Sequence, residues 1–379
     1  MKLPTFLTFF AMYVVTNIYI ARRLYLSIFY SIPYISVSLF VIAYAFFASS
    51  FFIGFCPPSH KAKKQFNTLA SYWVGAFVCF ALLFPVMDGL IFVGYATGII
   101  YISPNIRLIA AVIVVVVSAS IIIFSKYCAG KVRVTSYNIA VDKLTAPKGI
   151  KIAMIADLHL GSPNGEKILP QLVVKCDQLK PDIVCLVGDI FSDDFNLIND
   201  PAAAMDLFKS IKTRYGVYAC LGNHDSGNTL GQMLTFLEEC NIKILNDEHI
   251  VINNQFALLG RLDAKPLLGF GGLQRASLTD VKQSIDTSLP VIVIDHNPKH
   301  IHEYDSDFDL ILCGHTHKGQ VFPWSVGINL RYPVTYGHYR RNSKSPHVIV
   351  TSGVSTWGPP ARFGTFNEVV DINITKHQP

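Results

Sequence analysis

Ile150-Lys151-Ile152-Ala153-Met154-Ile155 runs directly into Ala156-Asp157-Leu158-His159. A short apolar run of this kind, closed by polar residues, reads as a buried strand that delivers two potential metal ligands at its carboxyl end. The same pattern recurs along the chain. Ile183–Val187 leads into Gly188-Asp189, and residues 217–221 lead into Gly222-Asn223-His224-Asp225. Val291–Ile294 leads into Asp295-His296-Asn297, and residues 310–312 into Gly314-His315-Thr316-His317. Residues 348–350 read as one more buried strand. Segments 166–179, 202–213 and 231–240 have helical apolar spacing. Segments 250–259 and 369–374 alternate more and are expected to pair as antiparallel strands. Strands alternating with helices, then a β-richer second half, predict an α/β domain of two packed mixed sheets flanked by helices. Sites in open α/β sheets assemble at the carboxyl ends of strands, so five strand ends carrying Asp, Asn and His point to one shared site.

The donor set is informative. Carboxylate, imidazole and amide oxygen without thiolate suit Mn²⁺, Fe²⁺ or Zn²⁺. Seven ligands are too many for one ion, and two ions sharing a bridging carboxylate is the natural reading. Such a pair, about 3.5–4 Å apart, clamps a phosphate and acidifies a bridging water.

In their order, Asp-x-His, Gly-Asp, Gly-Asn-His-Asp, a lone His and Gly-His-x-His resemble the calcineurin-like metallophosphoesterase signature. The five blocks extend from Asp157 to His317, and the likeness covers roughly residues 134–374. Ile155–Gly161, His296-Asn297-Pro298, residues 314–320 and the Pro359-Pro360-Ala361-Arg362 segment look more narrowly like the YkuE-like membrane-associated branch. The resemblance implies a metallophosphoesterase sandwich in which Asp157, His159 and His317 hold a first metal. It implies that Asp189 bridges and that Asn223, His296 and His315 complete the second site. The two divalent ions would be Mn, Zn, Fe or Mg. His224 corresponds to the family's non-ligand histidine, which contacts the phosphate and protonates the leaving group, with Asp225 expected to orient it. Asp193, four residues after Asp189, is read as lying behind the ligands. Lys318 stands where relatives often carry Gly, and is a candidate substrate contact with Arg362, Arg261, Arg331 and Trp357. Asp295 reads as a strand-end carboxylate behind the ligands. The seven other histidines, including the His300/His302 pair, are assigned to packing or solvent.

Upstream the texture changes. Of a formal net charge of +6, the first 126 residues carry eight Lys and Arg against one acid, Asp88, and the remainder is nearly neutral. The basic excess therefore belongs to an apolar region, where cationic flanks are normal for membrane proteins. A nucleic-acid partner is not expected. Apolar runs cover about 3–20, 28–55, 69–102 and 108–124, the second closing at Cys56-Pro57-Pro58. Each is long enough for a helical span. The third is too long for one ordinary span and reads as a tilted helix, a helix with a re-entrant piece, or two short spans. Four spans are favoured. Lys2, Lys61, Lys63, Lys64, Lys126, Lys131 and Arg133 then share one side, against Arg22, Arg23 and Arg107, and the positive-inside rule puts the catalytic domain in the cytoplasm. Cys185, Cys220 and Cys313 in strand-like runs, with no paired spacing, fit a reducing compartment. The single intramembrane acid, Asp88, is either functional or interfacial.

These readings divide the chain into a transmembrane region (1–127, about four helices), a linker with the first strand (128–148) and a metallophosphoesterase domain (149–379). The expected activity is metal-dependent hydrolysis of a phosphate mono- or diester by a bridging hydroxide. A membrane anchor suggests a lipid-linked or nucleotide substrate. The alternative is a non-catalytic membrane receptor or scaffold that binds through the same domain.

Overall fold

The computed structural model describes residues 3–29, 34, 36–53, 60–146 and 148–376, so Lys2, Cys56-Pro57-Pro58 and His377 lie outside the described residues. The chain divides into two compact units, Met1–Ser125 and Lys126–Pro379.

The first unit is helical, with α1 (Leu3–Phe29), α2 (Val37–Ile53), α3 (His60–Ala96) and most of α4 (Pro104–Ala129). Among the described residues, two helices, Thr68–Ala96 within α3 and Pro104–Ala129, are long and apolar enough to cross a membrane; α2 contains a shorter apolar stretch. The long third run is one continuous helix through Pro85, and it stops at Ala96, before Gly98 in the left-handed region. Asp88 does not stand alone: it pairs with Arg23 and accepts a hydrogen bond from Tyr19 at 2.7 Å. This pairing is what a charge among apolar helices requires.

The second unit carries β1 (Val132–Ala140), β2 (Ile150–Ile155), α5 (Gly165–Leu179), β3 (Ile183–Val187), α6 (Pro201–Lys209), β4 (Val217–Cys220), α7 (Leu230–Glu239) and β5 (Ile242–Ile244). It continues through β6 (Glu248–Ile252), β7 (Phe256–Gly260), α8 (Leu278–Lys282), β8 (Val291–Ile294), β9 (Leu310–Cys313), α9 (Trp324–Asn329), β10 (Gly337–Tyr339), β11 (His347–Val350) and β12 (Asn367–Thr375). Two six-stranded mixed sheets result, ordered β1-β12-β2-β3-β4-β5 and β10-β11-β9-β8-β7-β6. Segments 250–259 and 369–374 do not pair with each other. The first is the β6–β7 hairpin of the second sheet, whereas β12 lies in the first, antiparallel to β2 and parallel to β1.

Strand alternation builds the layers. Ile152 and Met154 of β2, with Cys185 and Val187 of β3, face Leu258, Ile292, Ile294, Leu310 and Leu312 in the core between the sheets. Ala153, Ile155, Val184 and Leu186 face outward and pack under Leu169, Leu172, Phe208 and Phe236 of the helices. Because both faces are covered, the central parallel strands are apolar apart from Lys151 near the start of β2, as their sequences are. Each fully buried Ile, Leu or Val contributes about 1.5–3 kcal/mol, which anchors the strand ends that carry the site. The helices are delimited locally. Asp200 caps α6 by accepting from the Ala203 amide at 3.0 Å, with Pro201 at the first helical position.

Candidate metal centre

Strands β2, β3 and β4 run parallel to one another in the first sheet, as do β8 and β9 in the second, so within each sheet their carboxyl ends emerge on one edge. The ladder continues beyond the strands: the Asp157 amide donates to Gly188 O at 3.1 Å, His159 to Asp189 O at 3.0 Å and Gly314 to His296 O at 2.9 Å. Several ligand-type residues there adopt backbone conformations that side chains rarely take. Asp157, His159, Asp189, His315 and His317 all have φ between 47° and 71°. Strain of this kind persists where the surroundings over-determine it, characteristically at functional sites. Gly188 (φ 72°) is needed for space as well, since a Cβ there would lie 2.6 Å from His296 Nδ1.

Among the described residues, two groups of His and Asp converge closely enough to hold a metal ion: Asp157, His159 and His317, and Asp189, His296 and His315. In the first, His159 Nε2 lies 3.3 Å from His317 Nε2, and His317 Nε2 3.4 Å from Asp157 Oδ1. In the second, His296 Nε2 lies 3.1 Å from Asp189 Oδ2 and 3.3 Å from His315 Nδ1. Asp189 Oδ2 is also 3.9 Å from His159 Nε2, so this carboxylate faces both groups. Asn223 Oδ1 is buried and finds no hydrogen-bond partner among the described residues, an atom that ligation would satisfy.

The far sides of the rings fix which nitrogens face inward. His296 Nδ1 sits 2.8 Å from Val187 O and donates to it, leaving Nε2 for the centre. His315 Nε2 is 2.8 Å from the Tyr332 hydroxyl, which turns Nδ1 inward. Burial pushes the His159 and His315 imidazoles down to about 3 and His317 well below its ordinary value, keeping them in the neutral, ligating form. Burial opposes charge on Asp189 and His296 alike. The attraction between them nevertheless holds the carboxyl below the usual range and the imidazole above its own. The donor set, the convergence and the orphaned amide oxygen fit a pair of divalent ions.

Several expectations from sequence differ from the geometry. Asp225 does not touch the His224 ring; its carboxylate accepts from the Phe191 amide at 2.8 Å and the Gly222 amide at 2.9 Å, and so ties two ligand-bearing loops together. The carboxylate on His224 Nδ1 is Asp193, at 2.8 Å. Asp193 adopts φ 63°, which turns it back across the loop carrying Asp189. Arg362 is fully buried and is not available to a substrate. It donates to Asn367 Oδ1 at 2.8 Å, to His317 O at 3.1 Å and to Ser355 O. Lys318 places its ammonium over the Tyr336 ring, 3.9 Å from the centroid, and near Phe366. Arg261 is likewise buried, paired with Asp247 at 2.8 Å, and Arg331 lies against Tyr332. Trp357 does border the site, its ring centroid 6.0 Å from that of His224. Asp295 sits behind the ligands, held by Arg275 and Tyr304. Tyr332 carried no motif signal, because it reaches His315 from a loop 17 residues downstream.

This arrangement has counterparts in known proteins. The sequence pattern of the family described as Calcineurin-like phosphoesterase matches residues 150–319, the stretch that runs from β2 through the His315/His317 turn. An uncharacterized metallophosphoesterase of Campylobacter jejuni is 29% identical over 367 residues, covering 94% of this chain and 94% of that protein. A transmembrane protein with metallophosphoesterase domain from Danio rerio is 29% identical over 255 residues, covering 63% of this chain and 56% of that protein. An uncharacterized metallophosphoesterase of Aquifex aeolicus is 31% identical over 242 residues, which amount to 64% of this chain and 91% of that protein. With nearly the whole of that relative aligned, and with the ligand-bearing strand ends falling inside the matched stretch, the chain belongs to the calcineurin-like metallophosphoesterase family.

Proposed function

We propose that this chain is a membrane-anchored phosphoesterase that hydrolyses a phosphate ester at a two-metal centre. The observation that carries the reading is Asp189, whose carboxylate faces both ligand groups from between them. Asp157, His159 and His317 would hold one ion, and Asn223, His296 and His315 the other, with Asp189 shared. Two such ions supply charge neutralisation at the phosphoryl oxygens and a lowered pKa for water. The chain's own residues do the rest. Apolar strands behind the centre exclude water, and the second contacts of His296 and His315 hold those ligand rings in place. His224, with Asp193 on Nδ1, presents Nε2 to the leaving oxygen and delivers its proton there; general acids of this type contribute about 10²–10⁴-fold. The long apolar helices and the name of the Danio rerio relative support the anchor, with the catalytic unit on the cytoplasmic side by the charge distribution.

The full chain in detergent, assayed on p-nitrophenyl and bis(p-nitrophenyl) phosphate with Mn²⁺, Mg²⁺, Zn²⁺ or EDTA, tests this. Metal-dependent turnover that disappears in Asp189→Asn and falls in His224→Ala is expected, with about two ions bound per chain. Folded protein that binds metal but turns over neither ester would instead favour the receptor or scaffold.

A further inference from the structure

The second unit exposes a few scattered apolar side chains, among them Val174 and Val251, but its larger ones are concentrated. Among the described residues from Lys126 onward, every exposed Leu, Phe and Trp falls in three segments: Leu267, Leu268 and Leu273; Phe322, Trp324 and Leu330; and Trp357. All three segments are fastened to the metal centre. The Leu267 amide donates to Asn223 O at 3.0 Å and the Leu268 amide to Ser226 Oγ at 3.2 Å. The α9 segment is fixed at both ends by ligand histidines. It leaves the His317 turn, where a Cβ on Gly319 would lie 2.3 Å from Ser325 Cα, and it returns through Tyr332 to His315. Trp357 donates its amide to Gln320 Oε1 at 2.9 Å and borders His224. Leu330 is 86% exposed and Leu268 65%. Exposed apolar side chains on segments anchored to a polar site mark a surface that is covered in use.

What covers it is indicated by the way the unit leaves α4. Between Arg107 and Lys126 this helix has no charged residue. The nineteen steps from Arg107 to Lys126, at about 1.5 Å each, span about 28 Å, close to the roughly 30 Å of a bilayer core. Lys126 therefore marks the membrane surface, and Ala129 lies one turn beyond it, at headgroup depth. Ala129 O is not free there. It accepts from Asn367 Nδ2 at 2.6 Å and Asn164 Nδ2 at 2.7 Å. Asn367 in turn holds Arg362, which holds His317 O. Two buried side chains thus link Ala129 to the candidate ligand His317, all within the second unit.

We propose that the apolar rim seats in the bilayer and that the substrate is a phosphate ester whose alcohol part is anchored in a membrane lipid. Trp324, Trp357 and the leucines would enter the interfacial layer, where such side chains are favoured. The phosphate of a lipid held in the leaflet would then meet the centre without leaving the membrane. This rests on the phosphoesterase reading for its substrate, but not for the seating of the rim.

Two arms separate the readings. In the first, the full chain carrying Trp73→Phe is reconstituted into nanodiscs of ordinary or brominated phosphatidylcholine, leaving Trp324 and Trp357 as reporters. Strong quenching by brominated lipid, reduced by Trp324→Phe, is expected. Unquenched emission overturns the proposal, as does a dimer in detergent that Trp324→Ser dissociates, which would make the rim a contact between copies. In the second arm, turnover of dioleoyl phosphatidic acid in nanodiscs is divided by turnover of p-nitrophenyl phosphate. Leu268→Ser with Trp324→Ser should lower that ratio about tenfold or more, from lost apolar burial. An unchanged ratio overturns the substrate assignment. If neither ester is hydrolysed while quenching is seen, the phosphoesterase reading and the substrate class fall together and the membrane seating stands.

Discussion

Two carboxylates neighbour His224, Asp193 in space and Asp225 in sequence, and the structure separates their jobs in a way that mutation can test. Asp193 Oδ1 is 2.8 Å from His224 Nδ1 and its side chain is 40% exposed. Asp225 is fully buried and accepts two backbone amides, those of Phe191 and Gly222. In Asp193→Asn the left-handed backbone is tolerated, because Asn enters that region more readily than most residues. What disappears is a charge-assisted hydrogen bond worth about 1.5–3 kcal/mol. Exposure places it at the lower end, and at about 1.4 kcal/mol per factor of ten the loss in kcat is about tenfold, with only a small fall in thermal stability. In Asp225→Asn an NH₂ group must face a backbone N–H inside the protein. A buried donor left without an acceptor costs about 1–3 kcal/mol, more when a charge is involved, so the midpoint of thermal unfolding falls. The loops bearing Asp189 and Asn223 would loosen with it. Steady-state kinetics on bis(p-nitrophenyl) phosphate and thermal unfolding of the full chain in detergent measure the two effects side by side. An Asp193→Asn variant of wild-type kcat, beside an Asp225→Asn variant that unfolds normally but has lost turnover, would refute the reasoning and restore Asp225 as the residue that orients His224.

Three further outcomes follow from the same geometry. Gly188→Ala forces a methyl against His296 Nδ1 and should lower bound metal, read by elemental analysis, well before it unfolds the sheet. Tyr332→Phe removes the hydroxyl on His315 Nε2; a metal affinity weaker by about 10–100-fold is expected from loss of such a partner, with the fold intact by circular dichroism. Arg362→Lys cannot reproduce the planar fork that serves Asn367, His317 O and Ser355 O. It should lower the unfolding temperature, and a stable variant changed only in KM would mark Arg362 as a substrate contact after all.

The sequence by itself carried the strands, the two-sheet layering and the polar residues that gather at the candidate centre, for one physical reason. A parallel strand buried on both faces must be apolar throughout, so the polar residue at its end stands out: Ile155 before Asp157, Val187 before Asp189, Ile294 before His296. Helix existence was legible from apolar spacing, but the end of α6 was not. It stops at Lys209, and the residues beyond form a turn in which Thr213 Oγ1 accepts from the Gly216 amide at 2.9 Å. The partners of polar side chains were decided only in three dimensions. Proximity in sequence suggested Asp225 for His224, yet the left-handed turn at Asp193 brings the more distant carboxylate onto the ring. An arginine near a phosphate-type site suggested a substrate contact, yet Arg362 is enclosed by carbonyls from three segments. Which strand pairs with 369–374, and which hydroxyl steadies His315, depend on long-range closure of the two sheets, and local periodicity holds no information about that.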